Sequence, residues 1–248
     1  MSSRDQFGNG FMQWYAMDTL AARGVPPGSS SPPFNFSVDP SEGHPVFGGS
    51  PADVSNFFSY SQIGNVGVVS LSSAYAARVL RPLITEACEW LADQQGVRVA
   101  LMVGHWDHPG MGSAEDTTTP AMYDFAAQQP GCKAFHERNM LKFFCGHVHC
   151  NIPHPHGRTD VGFMVAGQGM VEDSGFCPDG ANYGFTVFDT TSDRVRVWYF
   201  PVAFGGNETD HFDSVHTCVD SHGWSKCTHL ATKWVDEPIG RSESLTSP

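Results

Sequence analysis

The stretch Val97 to Val103, Val-Arg-Val-Ala-Leu-Met-Val, is a nearly continuous apolar run. It falls far short of the ~18 residues that cross a bilayer, and no other run comes closer, so no transmembrane helix is expected. Continuous apolarity without alternation predicts a strand buried within a layered sheet. Its neighbours fit that reading. Phe57 to Ile63 and Val66 to Leu71 read as strands joined by a tight turn at Gly64-Asn65, a β-hairpin. Ala76 to Gln95 reads as an amphipathic helix, with Leu80, Ile84, Ala87, Cys88 and Leu91 at helical spacing and Gly96 as its cap.

Downstream, Gly104 to Thr119 reads as a loop rich in Gly, Asp and His. Ala121 to Gln129 reads as a helix stopped by Pro130-Gly131, and Leu141 to Cys145 as a short strand. Val161 to Ala166, Tyr183 to Phe188 and Val195 to Phe200 read as further strands. The order predicts an α/β fold, a sheet with helices on one face. Before it, Phe11 to Arg23 has helix-like composition, and the Pro-, Gly- and Ser-rich stretch to Gly49 reads as irregular. The expected organisation is an irregular segment over 1–55, the ordered unit over 56–200 and an irregular tail over 201–248.

Charge limits the function classes. The 248 residues carry a net charge of −12, a surface that repels phosphate backbones and argues against a nucleic-acid interface. A phosphorylated substrate would need a local positive centre, for which a metal is the obvious candidate. The 12 histidines, nearly as many as the 14 Lys and Arg, point the same way. Seven cysteines cannot all pair within the chain. The sequons Asn35-Phe36-Ser37 and Asn207-Glu208-Thr209 fit a secreted parent protein, although no secretory signal is visible. Compartment and oligomeric state stay open.

Two histidine clusters each follow a predicted strand. One is Val103-Gly104-His105-Trp106-Asp107-His108-Pro109, the other Phe144-Cys145-Gly146-His147-Val148-His149. Strand ends fix ligands firmly, and glycine before each histidine allows a sharp turn and close approach. In an extended stretch His147 and His149 point to one side, able to serve one metal or two adjacent ones. His108 is the alternative ligand to His105. Asp107 reads either as a carboxylate that orients a ligand histidine or as a solvated loop acid. Trp106 reads as packing or as a wall of the site.

At these residues the chain resembles the calcineurin-like metallophosphoesterases. Gly146-His147-Val148-His149 matches their Gly-His-x-His motif and Val103-Gly104-His105 the preceding strand-end histidine, over roughly Phe57 to Phe200. The resemblance implies two β-sheets packed face to face with helices outside, an αββα sandwich. It implies a phosphoric ester hydrolase with two divalent metals (Fe, Zn or Mn) and a metal-bridging hydroxide that attacks phosphorus in line. His105 and His147 would ligate one metal and His149 the other, and the substrate would be a phosphorylated small molecule or other phosphoester. The family's Asp-x-His, Gly-Asp-x-x-Asp and Gly-Asn-His motifs are absent before His105, so the general-acid histidine has no counterpart and no catalytic residue is assigned. The expectation is therefore a fold whose first half is missing and a fragment inactive by itself. The alternatives are a non-catalytic remnant acting as a binding or structural module, and an unrelated protein holding structural zinc, for which His216-x-Cys218 and Cys227-x-His229 would serve unless Cys218 and Cys227 pair. Of the weaker signals, His154 and His156 read as an exposed proline-rich loop, and Gly167-Gln168-Gly169 as a tight turn.

Overall fold

The computed structural model describes residues 36–38, 45–47, 58–73, 77–109, 115–147, 149–154, 158–165, 184–201 and 209–239. The expected helix at Phe11 to Arg23, the turn at Gly167-Gln168-Gly169 and His156 lie outside the described residues. Within the stretch expected to be irregular, β1 (Phe36–Val38) and β2 (Pro45–Phe47) pair antiparallel.

The hairpin forms as expected, β3 (Phe58–Ile63) against β4 (Val66–Leu71), in full antiparallel register. The chain then crosses through α1 (Ala77–Asp93) to β5 (Val99–Val103), parallel to β4. Leu80, Leu83, Ile84, Ala87, Cys88 and Leu91 form the buried stripe of α1, spaced three or four residues apart, so one face of the helix covers the sheet. Next come α2 (Thr119–Ala126), α3 (Pro130–Glu137) and β6 (Leu141–Cys145), parallel to β5. Pro130-Gly131, expected to end structure, instead begins α3, because proline suits the first helical turn, where its missing N–H has no partner to lose. β7 (Ile152–Pro153) and β8 (Gly162–Met164) complete a mixed six-stranded sheet in the order β3-β4-β5-β6-β8-β7.

A second sheet covers the opposite face. β9 (Gly184–Ser192), β10 (Arg194–Pro201) and β11 (Thr232–Pro238) pair antiparallel in the order β11-β10-β9. Val195, Val197 and Val235 enter the core shared with the six-stranded sheet. Phe188 meets Phe144 edge-on at 5.6 Å, and Trp234 stacks on Phe163 at 5.8 Å. On the outer face of this second sheet, α4 (Thr209–His222) and two 3-10 turns, Trp224–Lys226 and Thr228–Leu230, pack around Phe200, Val215 and Cys227. The layers therefore run helix, sheet, sheet, helix, an α/β sandwich. The expected irregular tail over 201–248 is corrected: it holds α4 and β11, which fold because β10 offers them an edge and an apolar face. No helix among the described residues is long and apolar enough to cross a membrane.

Candidate functional site

Parallel pairing of β5 and β6 places their C-terminal ends side by side, with Val103 opposite Phe144. The ladder continues one step past each strand. Gly104 N–H donates to Phe144 O at 3.0 Å, and Gly146 N–H donates to His105 O at 2.9 Å. His105 and His147, 42 residues apart in sequence, are thereby brought into contact, with His147 Nδ1 3.3 Å from His105 Nε2. One ring N–H donates to the other ring's lone pair, and the tautomers decide which.

The glycines act differently from expectation. Neither Gly104 nor Gly146 has positive φ; the turn is made by His147 (φ 72°) and His149 (φ 52°) in the left-handed region. His147 and His149 are therefore not in an extended stretch, and the expected same-side projection does not apply. Histidine tolerates this conformation better than bulky or β-branched residues do. Gly104 is required for close approach, since a Cβ there would lie 2.2 Å from Thr119 Oγ1.

Around this pair, His108 packs its ring 5.0 Å from that of His147 and holds Asp107 Oδ1 at 2.8 Å through Nδ1. Asp107 thus orients His108 rather than the histidine it follows most closely. Trp106 meets His105 edge-on at 4.8 Å, and its Nε1–H is buried without a hydrogen-bond partner. The Trp106 carbonyl accepts from Thr119 N–H at 2.8 Å, so the start of α2 anchors the loop that carries His105 and His108. The sequence signalled this anchor: Thr118, whose hydroxyl accepts from Ala121 N–H, is a helix cap followed by Pro120.

The His105 ring is held below its ordinary pKa first by burial, then by the neighbouring His147 and His149, with Asp107 opposing. It is consequently neutral near pH 7 and keeps a lone pair for a cation. The donor geometry fits one. Two imidazole nitrogens at ~2.0–2.1 Å from a tetrahedral ion are about 3.3–3.4 Å apart, and the His105–His147 gap is 3.3 Å. Iron, zinc and manganese all accept imidazole ligands. Among the described residues no group of three or more His, Cys, Asp or Glu is placed to hold a metal, and the pair offers two imidazole nitrogens.

The other histidine signals resolve separately. His154, expected in an exposed loop, is 6% exposed, with its ring 5.3 Å from Phe143. Cys218 and Cys227 form a disulfide, which removes both thiolates from the zinc site considered there.

No family model matches the chain, and no curated protein does. Among solved structures, a probable enoyl-CoA hydratase from Mycobacterium smegmatis is similar over 36% of this chain and 39% of its own, at 14% identity and a TM-score of 0.22.

Proposed function

We propose that this chain carries part of a divalent-metal phosphoesterase site of the calcineurin-like type, with His105 and His147 sharing one ion and His149 reaching toward a second. The supporting observation is the 3.3 Å approach of His105 Nε2 and His147 Nδ1 at the ends of adjacent parallel strands. A bound cation would polarise a phosphoryl oxygen and offset the repulsion between a phosphoester and a chain of net charge −12. The protein's own residues do the positioning. β5 and β6 fix the two rings, burial keeps His105 unprotonated, and Asp107 holds His108 beside them.

The sequence before His105 lacks the Asp-x-His, Gly-Asp-x-x-Asp and Gly-Asn-His motifs that complete such a site in the resembled family. That absence favours a second reading, a metal-binding module without turnover. One experiment separates the readings. Zinc and manganese are titrated into the apo-protein by calorimetry, then hydrolysis of nitrophenyl phosphate mono- and diesters is assayed. Saturable binding lost in both His105→Ala and His147→Ala supports the site, and turnover then separates enzyme from module. Unchanged binding in both variants refutes the site.

A further inference from the structure

The cysteines carry an inference independent of the metal site. Of the six cysteines among the described residues, five are in disulfides: Cys88, Cys132, Cys150, Cys218 and Cys227. Cys145 alone is free, and it is buried. Reducing cytosol keeps thiols unpaired in most proteins, whereas exported proteins retain their cross-links.

The cross-links lie inside the architecture. Cys88 on α1 and Cys132 on α3 are each 2% exposed and join across 44 residues, tying two helices of the outer layer together. The backbone is shaped for that contact. A Cβ at Gly131 would lie 2.0 Å from Cys88 O, so only glycine lets the start of α3 rest on α1. Cys218 near the end of α4 joins Cys227, itself fully buried, and fastens that helix to the turn covering the second sheet. Cys145 is shielded from exchange with these pairs. It is 1% exposed, and its Sγ–H donates weakly to Phe163 O at 3.7 Å. Exchange needs a thiol that can reach a disulfide sulfur, so a covered one does not scramble the others.

We infer that this chain matures in an oxidising, secretory-type compartment, where Cys88–Cys132 and Cys218–Cys227 form and Cys145 stays reduced. In each bond two thiols lose two protons and two electrons, forming the S–S bond. A disulfide oxidant, such as an oxidised thiol oxidoreductase or glutathione disulfide, is reduced to two thiols. The sequons at Asn35 and Asn207 suit the same compartment.

The test uses the full chain, fused to an export leader in a secretory host and made without it in reducing bacterial cytosol. The exported protein is alkylated with N-ethylmaleimide, native or in denaturant, and digested without reduction for mass spectrometry. Expected are one linked peptide pair holding Cys88 and Cys132, another holding Cys218 and Cys227, and Cys145 alkylated only in denaturant. Alkylated Cys88 and Cys132 in the denatured exported protein would overturn the inference. The cytosolic protein should melt lower and recover the higher transition on oxidation by glutathione disulfide; equal melting before and after would also overturn it. A Cys88→Ala/Cys132→Ala variant should lose about a thousandfold in its folding equilibrium, the loop-closure effect for a 44-residue separation. If that variant does not fold, the peptide map of the unaltered chain still decides.

Discussion

Lys142 is buried at 0% exposure in the middle of the sandwich, on β6, and Glu237 on β11 faces it from the other sheet. Lys142 Nζ donates to Glu237 Oε2 at 3.0 Å and to Asp160 O at 2.6 Å, and Asn139 Nδ2 donates to both carboxylate oxygens at 3.0 Å. The two ends of this bridge are not equivalent. Glu237 keeps 26% of its side chain exposed, whereas Lys142 keeps none. Removing the lysine, as in Lys142→Met, leaves a carboxylate that still has Asn139 and can rehydrate, at a cost of about 2 kcal/mol, below the usual range for breaking a buried pair. Removing the carboxylate, as in Glu237→Leu, strands an ammonium with no route to water. That costs about 3–5 kcal/mol.

The upper bound has its own physical origin. Burial already holds Lys142 below its ordinary pKa, against the attraction and hydrogen bond of Glu237 and the field of Asp160. Once Glu237 is gone, the folded protein can shed the proton. Neutralising a lysine of ordinary pKa ~10.4 at pH 7 costs about 4.6 kcal/mol, which caps the penalty. In that variant the unfolded chain binds one more proton than the folded chain. Stability must then rise with pH, by about 1.4 kcal/mol per unit between pH 7 and the unfolded pKa. Replacing both partners, Lys142→Met with Glu237→Leu, should recover most of the loss, since no charge is left buried. Urea unfolding followed by tryptophan fluorescence at pH 7 and pH 9 reads all four proteins. Equal losses in the two single variants, or a Glu237→Leu loss that does not shrink at pH 9, would refute this account of the bridge.

Other outcomes follow from the site and its supports. Gly104→Ala should destabilise by about 1–3 kcal/mol through overpacking against Thr119, and Thr119→Ala in the same chain should restore part of it, both by thermal melting. The His105 ring should titrate below its ordinary value in an NMR pH series. Because its folded pKa lies below its unfolded one, its contribution is full above about pH 6.5 and is lost as pH falls through the lowered folded value. Phosphoesterase turnover by this chain with added manganese, zinc or iron should be low, since acid catalysis worth ~10²–10⁴ in rate has no assigned residue. Robust turnover that vanishes in His147→Ala would show that other groups in the chain supply it.

What the sequence reveals and what it hides have the same cause, the range of the interaction responsible. β4 and β6 fall at Val66–Leu71 and Leu141–Cys145, as their patterns indicate, because turn residues and buried apolar runs are local signals. α4 escapes such reading because only Val215 among its described side chains is buried, and its anchors, Cys227 and the face of β10, come from elsewhere in the chain. β11 reads Thr-Lys-Trp-Val-Asp-Glu-Pro, too charged for a core strand by itself. It becomes one where β10 pairs with it and buried Lys142 takes up Glu237. The histidine pair lies between these cases. Its approach is non-local, yet each ring sits two residues past the end of its strand, and β5 and β6 are parallel neighbours. The register is staggered by one residue, with Val103 opposite Phe144, so these offsets carry His105 and His147 to the same edge of the sheet within one residue step of each other. The left-handed turn at His147 then decides which nitrogen faces which, and only the folded backbone specifies that.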